Sequence, residues 1–365
     1  MHKVLFLTNI PSPYRVSFFN ELGKSVDLTV VFEKAKSDER DSSWSYFKAL
    51  TFKPIFLKGI KVAPNKSLCL SSISYLKKNA KSFDYIFCCN YATPTGLLEI
   101  FYLKLKKIPY IIEGDGGFYN PKKRIRNSIK KHIFKNADYF FSTSTEFDKY
   151  LLMLGAAQEK IYRYSFSSVF DNEILNGPLN VNEILSIRNK NSIPNKKVVV
   201  SVGQFIERKG FDLLIKASDY FDESYVFYII GGAPNKEYSD LIKSKKINNL
   251  ILKPFMEKKK LFRFLSACDL FVLPTREDIW GLVVNEVMAC GLPVVSTDRC
   301  ISALEMINSR NGFVIETNSI SAIVNSIKEF FSKDIKSFRY EALSTAHKFT
   351  IEQMVSDHLT FLNKN

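Results

Sequence analysis

Short apolar runs alternate with longer segments whose apolar positions recur every three or four residues, along nearly the whole chain. The runs Val4–Leu7, Leu28–Phe32, Tyr85–Cys89, Tyr110–Glu113, Tyr139–Ser142, Val198–Val202, Val226–Ile230, Leu250–Lys253, Leu270–Leu273 and Pro293–Ser296 predict strands buried on both faces. Between them, Val16–Gly23, Pro94–Leu105, Ser144–Leu154, Phe211–Ser218 and Lys258–Ala267 predict helices. Such alternation implies an α/β fold of parallel sheets covered by helices. It lapses between Asp171 and Lys197, where Asn176-Gly177-Pro178 and Ile193-Pro194-Asn195 mark a linker with one short helix. The expected architecture is two doubly wound, Rossmann-like domains facing across a cleft. They span residues 1–170 and 197–345, joined by 171–196, and the last helix, about 346–365, is expected to pack back on the first domain. Doubly wound sheets bind ligands at the carboxyl ends of their strands, so the cleft is the expected site.

Charge sharpens this division. The chain has 365 residues and a formal charge of +15. Residues 1–170 carry 27 Lys and Arg against 14 Asp and Glu; the remainder carries 25 against 23. A basic first half favours an anionic partner, or else only keeps the chain soluble. The six cysteines form no CxxC pair, and the four histidines show no metal spacing, so buried reduced thiols and no metal site are expected. No signal-peptide pattern opens the sequence, and no run of about 18 apolar residues occurs. A cytoplasmic chain is expected.

Three segments carry candidate chemistry. Residues 270–297, LFVLPTREDIWGLVVNEVMACGLPVVST, read as strand, loop, helix, strand. The helix should begin near Gly281 or Leu282 and end at Gly291. A helix start after a strand's carboxyl end suits an anion. Asp278 and Glu286 flank it; carboxylates suit hydroxyls better than a diphosphate, although Glu286 also favours a helix first turn without any ligand. Residues 198–215, VVVSVGQFIERKGFDLLI, end a buried strand at Gly203 and then present Arg208 and Lys209. These two cations suit a diphosphate, or form a solvated basic turn. Residues 226–234, VFYIIGGAP, are a strand entering a glycine turn.

In this order and spacing the segments resemble the family 4 (group 1) retaining glycosyltransferases of the GT-B fold. That family's hallmark is an acid, seven residues, then Glu, which Asp278 and Glu286 match and Glu277 misses by one. The resemblance implies a catalytic set of Asp278, Glu286, Arg208 and Lys209. Glu286 would bind the nucleotide ribose, Asp278 the donor sugar hydroxyls and Lys209 the phosphates. Amides around Leu282 and Val283 would hold the distal phosphate. Gly203, Gln204, Phe255 in the loop KPFMEKKK, Trp280 and Gly281 complete the implied donor site. Gln204 stands where the family usually has Arg, and Arg208 is the candidate replacement. No cofactor is implied beyond a nucleoside diphosphate sugar as donor substrate.

The first domain departs from the family's usual Gly-Gly turn, with NIPSPYRV at residues 9–16. Tyr14, Arg15, and Glu113 and Asp115 of the EGDGG turn are acceptor-site candidates, or ordinary turn residues. Residues 121–135, PKKRIRNSIKKHIFK, hold seven Lys and Arg and no acid, with Ile125, Ile129 and Ile133 four apart. Such a helix lies on an anionic membrane or packs by its isoleucines. The expected function is sugar transfer to a lipid-linked glycan precursor in O-antigen, capsule or exopolysaccharide assembly, on the inner face of the plasma membrane. Rival readings are an epimerase of the same fold, a non-catalytic nucleotide-sugar-binding subunit, and, from charge alone, a nucleic-acid binder. Basic residues here are not interleaved with aromatics as a nucleic-acid module requires, so no nucleic-acid partner is expected.

Overall fold

The computed structural model describes all residues except 36–47, 64, 65, 246 and 365. The chain forms two compact units, Met1–Ser168 with Thr350–Asn365, and Val169–Phe349.

In the first unit the strands are β1 (Lys3–Thr8), β2 (Asp27–Phe32), β3 (Lys53–Phe56), β4 (Ile60–Ala63), β5 (Lys66–Leu68), β6 (Tyr85–Cys88), β7 (Ile111–Glu113), β8 (Tyr139–Ser142) and β9 (Ile161–Arg163). Seven of them pair in the order β3-β2-β1-β6-β7-β8-β9, and β4 and β5 form a separate antiparallel pair. Every pairing in the large sheet is parallel. The apolar runs explain this: parallel strands are covered on both faces and read as continuous hydrophobic stretches. From Val4 to Leu7 no residue is more than 1% exposed. Helix starts follow local chemistry as well. Thr93 caps the helix Pro94–Leu105 by accepting from the Gly96 amide, and Ser144 caps Thr145–Met153 by accepting from Phe147. The last helix, Ile351–Leu362, lies against the helix Pro13–Leu22 and sends His358 among Phe6, Phe18, Phe87 and Phe141.

The second unit holds β10 (Lys197–Val202), β11 (Tyr225–Ile230), β12 (Leu250–Lys253), β13 (Leu270–Leu273), β14 (Val294–Thr297) and β15 (Gly312–Ile315). They form a second all-parallel sheet in the order β12-β11-β10-β13-β14-β15. Strand order reverses between β1 and β6 in one sheet and between β10 and β13 in the other. These are the switch points at which such sheets bind ligands.

The sequence expectations miss β3, β4, β5, β9 and β15. Three of these are sheet edges, and β4 and β5 pair only with each other. Their residues are only partly covered, so no apolar run marks them. Residues 171–196 are not a linker outside the units; they belong to the second. Buried Arg188, on the helix Val181–Lys190, is the reason. It donates to the carbonyl of Ala267 and pairs with Asp269 at 2.9 Å, tying that helix to the entry of β13. The isoleucine stripe also divides. On the helix Arg124–Phe134, Ile133 is buried but Ile125 and Ile129 are 81% and 47% exposed, while Asn127 and Lys130 face inward. Among the described residues no helix is long and apolar enough to cross a membrane.

Beside the first switch point lies a buried acid cluster. Asn90 donates to Glu33 and to Glu99, each at 2.8 Å, and Thr93 donates to Glu33. Burial pushes Glu33 up to about 7 and Glu99 up to about 8. Between the ordinary carboxylate range and these values the folded chain holds protons that the unfolded chain has released. Stability therefore falls as pH rises through that window, by up to about 1.4 kcal/mol per pH unit for each group. We predict that Glu99→Gln flattens this decline: in urea titrations it should gain on the wild type steadily from pH 5 to pH 8.

Candidate active site

In the second unit the loops leaving β10, β11 and β13 are drawn together by backbone contacts only glycine allows. Gly210 has φ +68°, and a Cβ there would sit 2.0 Å from the carbonyl oxygen of Pro274. A Cβ on Gly231 would sit 1.9 Å from the carbonyl oxygen of Gly203. Across this junction Arg208 accepts at its carbonyl from the amide of Arg276 and the hydroxyl of Thr275, both at 2.8 Å. Arg276 returns a bidentate pair to Asp212 on the helix Phe211–Ser218.

The result is a charge cluster at the β10–β13 switch point. Lys209 Nζ lies 2.5 Å from one oxygen of Asp278, and Arg208 Nη1 lies 3.1 Å from the other. Arg208 also donates to the carbonyl of Glu277. Asp278 is nearly buried, held by its amide on Arg299 and by its carbonyl under the amide of Ile301. Glu277 instead points outward to Arg299 at 3.0 Å, and its side chain is 52% exposed. Of the two neighbouring acids, Asp278 thus meets the cations.

Gly281, at φ +93°, passes close to this carboxylate, and a Cβ on it would touch Cys300 Sγ at 2.7 Å. The helix Val283–Ala289 follows, buried through Val284, Val287 and Met288. Among the described residues, the amides of Leu282 and Val283 have no acceptor, whereas those of Val284 and Glu286 bond to Gly281 and Leu282. Glu286 stands partly exposed one turn in. Gln204 is exposed beyond Gly203, and Phe255, after β12, is 56% exposed. Trp280 is the correction in this set: its indole is 3% exposed and donates to Asn285 at 2.8 Å. It braces the helix start and offers no face to a ligand.

The four acceptor-site candidates of the first unit come together. Arg15 pairs with Glu113 and, at 2.7 Å, with Asp115, to which the Tyr14 hydroxyl donates at 3.2 Å. Arg15 also lies 5.7 Å from the Phe166 ring centre. Glu113 is fully buried, so it cannot touch a ligand; the Asp115 side chain is 33% exposed and can. Burial alone would raise Glu113, but Arg15 and His358 outweigh it and hold the carboxyl at about 2. Burial moves Asp115 the other way, upward, despite Arg15. Sequence reasoning missed His358, whose Nε2 lies 3.3 Å from Glu113 while Nδ1 faces the Met354 carbonyl at 2.7 Å. No local signal marks it, because its partner lies 245 positions away.

Residues 183–346 match the family of glycosyl transferases group 1. The chain is 24% identical over 337 residues to the N,N'-diacetylbacillosaminyl-diphospho-undecaprenol alpha-1,3-N-acetylgalactosaminyltransferase of Campylobacter jejuni, covering 86% of this chain and 88% of that one. It is 24% identical over 255 residues to the O-antigen biosynthesis glycosyltransferase WclY of Escherichia coli, covering 64% of this chain and 66% of that one. Among solved structures it is similar to Anabaena HepE in complex with UDP, with a TM-score of 0.79 at 16% identity over 100% of both chains. It is also similar to WaaG, a glycosyltransferase involved in lipopolysaccharide biosynthesis, with a TM-score of 0.68 at 14% identity over 99% and 100%. At these identities the likeness establishes the fold, which is GT-B.

The Glu113 network has a measurable signature. A carboxyl held at about 2 contributes stability at neutral pH, and that contribution is lost as pH falls from the ordinary carboxylate range toward 2. Glu113→Gln should remove about 3 kcal/mol of it at pH 7 and correspondingly less at pH 3. Denaturant unfolding at the two pH values checks this; an equal loss at both would contradict it.

Proposed function

We propose, for a chain whose residues 183–346 match the glycosyl transferases of group 1, a retaining transfer of a sugar from a nucleoside diphosphate sugar to an acceptor hydroxyl. The observation that carries this reading is the pairing of Lys209 and Arg208 with Asp278, beside the unpaired amides of Leu282 and Val283, at the switch point of the second sheet. Paired cations and helix amides suit a diphosphate, in line with the UDP and UDP-glucose named for HepE.

In this reading Lys209, Arg208 and the two amides hold the diphosphate, and Glu286 accepts from the ribose hydroxyls. The donor's arrival draws Lys209 partly away from Asp278, whose freed oxygen then accepts from a sugar hydroxyl. The bond from the anomeric carbon to the phosphate oxygen breaks, and the acceptor oxygen bonds that carbon on the same face. The acceptor proton passes to the departing phosphate oxygen. The fixed cations stabilise charge as it develops, which is the largest lever such a site has, and no metal or further cofactor takes part. Asp115, held by Arg15 and Tyr14, orients the acceptor hydroxyl.

The acceptor is a lipid-linked glycan precursor of a surface polysaccharide. This draws on the Campylobacter relative, whose name specifies a diphospho-undecaprenol acceptor, and on the O-antigen relative. The chain meets the anionic inner face of the plasma membrane through the outward side of the helix Arg124–Phe134. There Ile125 and Ile129 are exposed among lysines and arginines, the combination that such surfaces retain.

Lys209→Ala and Glu286→Ala should each lower kcat by at least about 10²-fold. The assay supplies a panel of sugar nucleotides with extracted membrane lipids and follows product by mass and by anomeric NMR signal. EDTA should leave the rate unchanged. Near-wild-type turnover of both variants, or an inverted product, defeats the proposal. Ile125→Glu with Ile129→Glu should reduce cosedimentation with phosphatidylglycerol vesicles without altering the donor Kd.

A further inference from the structure

On the helix Arg124–Phe134 and its N-cap, Lys123, Arg126 and Lys130 lie three and four residues apart and share one side. Of the three, Lys130 turns inward. Lys130 is 6% exposed, and its amine lies 5.0 Å from the Tyr91 ring centre and 5.1 Å from that of Tyr150. It donates to the Tyr150 hydroxyl. Arg126 and Lys123 stay exposed at the mouth, and the charge of Arg126 is felt at both tyrosine hydroxyls. No carboxylate pairs with any of the three cations among the described residues. A buried cation without a counter-charge is costly, because burial and the charges of its neighbours both oppose it. Here the two effects push the Lys130 amine down to about 7. Two tyrosine faces offset only part of that cost.

The cluster also borders the Asp115 turn. A Cβ on Gly114 would lie 3.0 Å from the Tyr91 hydroxyl, and the Asp115 charge is felt at that hydroxyl. Tyr91 thus borders both the Asp115 turn and Lys130.

We propose that Lys123, Arg126 and Lys130, with the hydroxyls of Tyr91 and Tyr150, bind the phosphate groups of the acceptor, the diphosphate that joins its first sugar to the lipid carrier. This rests on the reading of the chain as a transferase with a lipid-linked acceptor, and it adds where that acceptor's anion is held. An arriving diphosphate supplies the missing counter-charge, with Arg126 contributing a planar fork of donors and Lys130 a point charge. Outward-facing Ile125 and Ile129 lie on the same helix, so the lipid of a molecule gripped on the inner side can remain in the bilayer.

The test uses full-length protein carrying Lys209→Ala and Arg208→Ala, which weaken the donor site toward phosphate probes, and farnesyl diphosphate as the probe. Arg126→Ala and Lys130→Met should each weaken its binding by about tenfold or more. Lys130→Arg should recover most of the loss, and in the otherwise wild-type chain UDP binding should not change. Inorganic pyrophosphate competes if the site reads the anion. Should Lys130→Met fail to fold, Arg126→Ala, an exposed position, still decides the matter. Unchanged binding of farnesyl diphosphate in Arg126→Ala overturns the proposal. So does an equal loss of binding to phosphatidylglycerol vesicles, which would mark general charge attraction. These measurements need no turnover: absent transfer activity with intact, Arg126-dependent diphosphate binding would defeat the transferase reading and leave the site standing.

Discussion

The second unit turns on one carboxylate. Arg208 and Lys209 are consecutive cations in a loop that charge repulsion would splay, and Asp278 takes one on each of its oxygens. The three side chains meet where glycines at 210 and 231 let backbones approach to distances a Cβ would forbid. Cations held in place by a carboxylate need little reorganisation when an anion arrives, and reorganisation is the main cost of charge stabilisation in a loose site.

The first unit manages charge differently. Its Arg15, Glu113 and His358 are sealed in the protein, and only Asp115 at the end of that chain of contacts reaches the surface. Burying one partner of each pair makes the geometry rigid and presents a single polar group to the outside. Among the described residues the same unit also buries Glu33 and Glu99 on the neutral side chains of Asn90 and Thr93, and Lys130 against two tyrosines. Such unbalanced groups oppose folding, so their presence around the β1–β6 switch point sets this region apart from an ordinary core.

Much of this was legible from residue pattern. The buried parallel strands announce themselves because both faces are covered and every position is apolar, as in Val198–Val200 and Leu270–Leu273. Edge strands such as β9 and β15 do not, since half their surface meets solvent. The loop carrying Asp278 and the loop carrying Lys209 were recognisable from spacing, because each lies within one strand-loop-helix unit. Trp280 misled for a related reason: a residue inside a functional loop can serve the loop and not the ligand. Its indole closes on Asn285, five residues on.

Sequence alone determined what is local and repetitive: the alternation of strands and helices, the two parallel sheets, and the family-like loops of residues 198–215 and 270–297. These follow from steric preference and hydrophobic period, which act over a few residues. Tertiary structure decided which polar groups meet across long separations. It put His358 against Glu113, drew Lys130 between two tyrosines, and left Ile125 and Ile129 outside. Those outcomes depend on burial and on opposing charges from distant segments. Their energies arise only when the chain is folded, so no short stretch of residues records them.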